Sequence, residues 1–140
     1  MSSLVISAAD AVTSILNGRT FGTVTVSAVR KLVVERSLTN SRQLLCICVP
    51  HKLESTVISR GRATERTVTV DVGLMQRCAE SDLENLIKLT EEIGSFLEGA
   101  QSLNGRCIGV EYAPIYDTEI FLQQSCFFSL ISVNIKVFNG

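Results

Sequence analysis

Apolar positions along this chain recur with two periods, and the switches between them outline its elements. Val5, Ala8, Ala9, Val12, Ile15 and Leu16 follow the i, i+3, i+4, i+7 spacing of one helical stripe. Asn17-Gly18 comes next, and such residues adopt the left-handed conformations that commonly end helices. From Thr23 to Arg36 the period becomes two, with Val24 and Val26 against Thr23, Thr25 and Ser27, and a strand is expected. Residues 37–42 are polar and read as a loop. Leu44 to Val49 is almost wholly apolar and predicts a buried strand, closed at Pro50 because proline cannot donate to a ladder. Residues 51–66 are charged and read as an exposed hairpin or long loop, turning at Arg60-Gly61-Arg62.

Strand alternation returns over 67–75, where Val68, Val70, Val72 and Leu74 oppose Thr67, Thr69, Asp71 and Gly73. Ser81-Asp82-Leu83-Glu84 fits a capping box, in which two side chains satisfy orphan amides reciprocally. The helix it opens carries Leu83, Leu86, Ile87, Ile93, Phe96 and Leu97 on one stripe and ends at Glu98-Gly99. Residues 100–106 read as a loop, and Cys107 to Tyr112 as a strand broken at Pro114. Cys126 to Phe138 alternates Phe127, Ile131, Val133, Ile135 and Val137 against Ser132, Asn134 and Lys136. A strand of that length spans roughly 40 Å, more than twice the usual extent. It either crosses a large sheet or projects beyond its own domain. The expected order is α-β-β-β-α-β-β: an α+β fold with a mixed, largely antiparallel sheet and two amphipathic helices packed on one face.

The length, 140 residues, suits one domain over 1–140. Hydrophobic residues at 46% can form a core without a disulfide or metal staple. The 13 basic and 14 acidic residues leave a net charge of −1, so no whole-molecule field draws nucleic acid or anionic lipid. No apolar stretch reaches membrane-spanning length and the start does not read as a signal peptide. Five cysteines without a Cys-x-x-Cys pair then point to a reducing interior, with the thiols acting as small buried hydrophobes.

Candidate chemistry is sparse. His51 is the only histidine, and a Cys-His pair with Cys46 or Cys48 is the one nucleophilic arrangement available. Its plainer reading is a surface histidine beside buried thiols. Cys46-x-Cys48 lacks zinc-knuckle spacing and a second ligand pair. Glu91-Glu92 face different directions on a helix and read as a solvated face with Lys88; Asp117 and Glu119 read as turn and surface residues. No phosphate-binding glycine loop occurs. No catalytic, cofactor or metal site is therefore expected, and the chain is not read as an enzyme.

Assembly features are stronger. Lys52, Arg60, Arg62 and Arg66 make the 51–66 segment locally basic, and without interleaved aromatics it favours a protein partner over nucleic acid. Ile120-Phe121-Leu122 and Phe127-Phe128 are consecutive apolar runs, of which a strand can turn only half toward one core. Phe121 and Phe128 are thus candidates for burial at a subunit interface. The competing reading is that the helices and loops cover both faces.

Four stretches carry a family resemblance: LLCICVP (44–50), TVTVDVGLMQR (67–77), DLENLIKLTEEIGSFLEG (82–99) and YAPIYDTEIFLQQSCFFSLISVNIKVF (112–138). In the last, the Tyr116-Asp117 turn, Leu122, and Phe127 leading into a long β segment are the most telling. In these the chain resembles the tail terminator, or tail completion, proteins of long-tailed bacteriophages and prophages. The resemblance implies a structural virion protein with no catalytic residues or cofactor. It implies a homo-oligomeric ring, usually a hexamer, that caps the tail tube, ends its polymerisation and joins the head-tail connector, with DNA passing through the lumen. Its partners would be tail tube protein and connector or stopper protein, with no membrane, in the tail or neck of the virion. Two alternatives stand beside it: a head-side connector or stopper protein, and a small enzyme or ligand-binding domain using Cys46, Cys48 and His51.

Overall fold

The elements follow in the order their periods require, with one expected strand divided and three further departures. A computed structural model describes residues 3–33, 43–57, 64–99, 106–112 and 115–139. Helix α1 (Leu4–Leu16) is opened by the Ser3 side chain, which accepts from the Ile6 amide, and buries Ala8, Ala9, Val12 and Leu16. Gly18, at φ 83°, supplies the left-handed turn after it. The chain then forms a small hairpin, β1 (Thr20–Phe21) and β2 (Val24–Thr25), turning at Gly22 with φ 62°. β3 (Ala28–Arg30) follows, so the single strand expected over 23–36 is divided.

The main sheet adds β4 (Leu45–Val57), β5 (Thr64–Arg77), β6 (Arg106–Tyr112) and β7 (Cys126–Asn139). Its order is β3-β4-β5-β7-β6, antiparallel throughout except for the parallel β3–β4 pair. β7 pairs with β5 along its full length, which explains the long alternation at the end of the sequence. The α+β class and the largely antiparallel sheet are as expected.

The first departure is at Pro50. β4 does not stop there but continues to Val57, because a register shift between Pro50 and Lys52 absorbs the missing donor. Of the two readings of 51–66, exposed hairpin or long loop, the antiparallel pairing of β4 with β5 fits the hairpin; the turn expected at 60–62 lies outside the described residues. The second is at α2 (Leu83–Glu98), where the Ser81–Glu84 box does not form. Residues 80–82 make one 3-10 turn, in which the Asp82 carboxylate accepts from the Ala79 amide at 3.0 Å. Ser81 consequently sits inside the turn rather than at the cap. The third is a helix, α3 (Thr118–Gln124), over the apolar run at 120–122. Asp117 caps it through the Ile120 amide at 3.0 Å, and Ser125 closes it in the left-handed conformation.

The sheet buries apolar residues on both faces. Val68, Val70, Val72 and Leu74 of β5, with Phe127, Ile131, Val133 and Ile135 of β7, point into the main core beneath α1 and α2. α1 packs on β3, β4 and β5, and α2 on β6 and β7. On the opposite face Ile47, Val49, Met75 and Phe128 form a second cluster against Ile120 and Leu130. Among the described residues no helix is long and apolar enough to cross a membrane.

Candidate functional site

The bulge after Pro50 decides where His51 goes. It displaces the backbone by one residue, and the imidazole swings over the outer face of the sheet toward β5. Its Nδ1 lies 2.5 Å from Asp71 Oδ2. An ionised carboxylate only accepts, so Nδ1 carries the proton in this pair. Ser132 Oγ on β7 donates to the other Asp71 oxygen at 2.8 Å. Asp71 is 4% exposed, whereas the His51 side chain is 55% exposed. One row of three strands thus presents Ser132, Asp71 and His51. Beside it Thr69 donates to Asn134 at 2.8 Å, so this face continues as a polar surface.

An aspartate-oriented imidazole is the arrangement that supports a general base. What catalysis further requires is a nucleophile within its reach, and the cysteines do not supply one. Cys46 and Cys48 belong to the main core under α1, on the face opposite His51. The hydrogen bond with Cys48 holds the Cys46 thiol far above its ordinary pKa, and burial adds to it. Cys46 is held protonated in that way; Cys48, its pKa lowered by its hydrogen bonds with Cys46 and Thr13 against its burial, is shut in the core on the far side of the sheet from the imidazole. The Cys46/Cys48/His51 reading is thereby taken apart by geometry.

Cys78 is also pushed up, first by burial and then by Asp82 and Cys126. A cavity of about 380 Å³ lies at the end of β5 and the turn before α2, and one of about 490 Å³ lies along α2; His51 lines neither, and they share Gln76 and Asp82. Among the described residues no group of three or more His, Cys, Asp or Glu is placed to hold a metal ion.

The residues expected at an interface separate into three kinds. Lys52 is exposed on β4 and pairs with Glu54 at 2.5 Å. Arg66 is half-buried on β5, and its Nε is buried without a hydrogen-bond partner. Arg60 and Arg62 lie outside the described residues. Phe121 is half-buried against the main core, and Phe128, 1% exposed, is sealed in the second cluster. Phe128 therefore offers no surface, because the sheet has a core on each side and the consecutive pair Phe127-Phe128 fills both.

Sequence reasoning missed Asp71, which looked like one more polar position in an alternating strand. Its partner is set by a strand register that a bulge has shifted. It also missed the exposed apolar side chains Val29, Leu32 and Val33 near the sheet edge, which it took for strand. No protein-family model matches the chain, and no curated protein matches it.

Proposed function

We propose that this chain is a structural assembly subunit of a phage neck, and specifically a ring-forming tail terminator that caps the tail tube and joins it to the head connector. The observation that carries this reading is the far end of the β4–β5–β7 ribbon. Residues 52–55 are paired in the sheet yet all exposed. Exposed strand residues at a sheet end are a natural contact for another chain. Leu53, 46% exposed, gives that end an apolar contact point, and Lys52 gives it charge. The tail-terminator version rests on the four stretches of sequence likeness.

In this mechanism the helices and the double-cored sheet make a rigid wedge. The ribbon end reaches the tail tube, and ring closure sets the stopping point. The test is to add the purified protein to polymerising tail tube protein. Tubes should stop growing, with the protein at their ends. Unaffected growth, with no protein on the tube, contradicts the terminator reading; binding to connector protein instead would move the assignment to the head side.

A further inference from the structure

The bulge after Pro50 gives the ribbon end two unlike faces. Past it, Lys52 and Glu54 lie opposite Thr69 and Thr67, on the side that holds Asp71, and pair with each other. Leu53 and Ser55 lie opposite Val68 and Arg66, on the side that carries the main core further along. Val137 of β7 is in register with Arg66 from its other flank. Arg66 thus stands on the core-side face of the ribbon, between a serine and a valine.

Arg66 is half-buried there, and its Nε is shut off from solvent with no hydrogen-bond partner. Glu54, the acid nearest to it along β4, alternates to the opposite face, where Lys52 holds it. A guanidinium does not shed its proton to escape burial. A buried N–H without an acceptor costs stability, and more so on a charged group. The isolated chain bears that cost with no contact among the described residues to offset it. Beside it, Leu53 is 46% exposed and a diagonal step from Arg66 in the ladder, and Val137 is only partly buried.

We propose that Arg66 and Leu53 form the docking point for an acidic segment of a partner protein, whose carboxylate completes the guanidinium and whose neighbouring aliphatic side chain covers Leu53. This rests on the assembly reading above and names the partner chemistry that the ribbon end takes. The chemistry of the fork selects the occupant. Nε–H and a terminal N–H of arginine run parallel and match the two oxygens of a carboxylate. An apolar occupant alone would cover Leu53 and leave Nε without an acceptor. A phosphate matches the fork too, but Leu53 and Val137 flank the cation with apolar surface, which suits a peptide.

The test is nuclear magnetic resonance on the full chain, reading the Arg66 Nε–H signal, which is identified by its loss in Arg66→Lys. The probes are acetyl-Leu-Glu-Leu-amide, its Gln analogue and inorganic phosphate. The Glu peptide should shift the signal at millimolar concentration, the Gln analogue should bind about tenfold or more weakly, and Arg66→Met should abolish binding. Arg66→Met should also hold or raise the thermal midpoint, since the free chain loses no bond by it. Added to polymerising tail tube protein, Arg66→Met should cap about tenfold less well than the native chain. No shift with the Glu peptide, equal binding of the Gln analogue, a stronger response to phosphate, or an Arg66→Met midpoint well below the native one overturns the proposal. Capping by Arg66→Met at native strength also overturns it, while the terminator reading stands. A native chain that binds the Glu peptide yet ignores tubes overturns the terminator reading and supports this one.

Discussion

At Asp71 a carboxylate is 4% exposed on the outer face of the sheet, and its burial is tolerated because both oxygens are bonded. Ser132 fixes one oxygen from β7 and His51 the other from β4, so one side chain ties three strands across the bulge. His51→Ala would leave one carboxylate oxygen without its donor. A buried acceptor stripped of its partner costs about 1–3 kcal/mol, and the exposure of His51 lets water replace part of the bond. His51→Ala should therefore lower stability by about 1 kcal/mol in urea unfolding, with His51→Gln recovering some of it. An unchanged midpoint would mean that the pair ties nothing. The thiols behave oppositely: Cys46 and Cys48 sit in the main core as apolar volume, as their position in an apolar run implies.

At the scale of elements, α2 is held to the sheet edge by a fit around Gly94. A β-carbon there would lie 1.9 Å from the Tyr112 hydroxyl oxygen and 2.7 Å from Cζ. Ordinarily Gly→Ala inside a helix gains about 1 kcal/mol. Here a whole ring edge on β6 must move, and overpacking of that kind costs about 1–3 kcal/mol. Gly94→Ala should therefore destabilise the protein, and Tyr112→Phe in the same chain should relieve about 1 kcal/mol of that cost. Additive effects in a double-mutant cycle would deny the contact.

The elements that strong periodicity marks, α1, α2, β5 and β7, were legible in the sequence to within a few residues. Those it hid have local causes. The bulge at Pro50 reverses the parity of β4, so alternation fails where the strand continues. Asp117 and Ser125 cap a helix too short to show a stripe. The His51–Asp71–Ser132 row was hidden for the same reason as the end of β4, since its partners are 20 and 61 residues apart along the chain. A sheet with cores on both faces also explains why Phe127-Phe128 suggested an interface.

For the whole molecule, the balance of charge and apolar surface argues for association. The net charge of −1 opposes self-contact only weakly. Among the described residues the exposed apolar side chains gather near the β3 edge. An isolated domain gains nothing from leaving such surface in water. A subunit that meets neighbouring chains, as proposed above, has a use for it. The most direct measurement is negative-stain electron microscopy of the purified chain over a range of concentrations. Closed rings with an open centre, built from repeats of one subunit, are predicted; single-chain particles at every concentration would contradict the account.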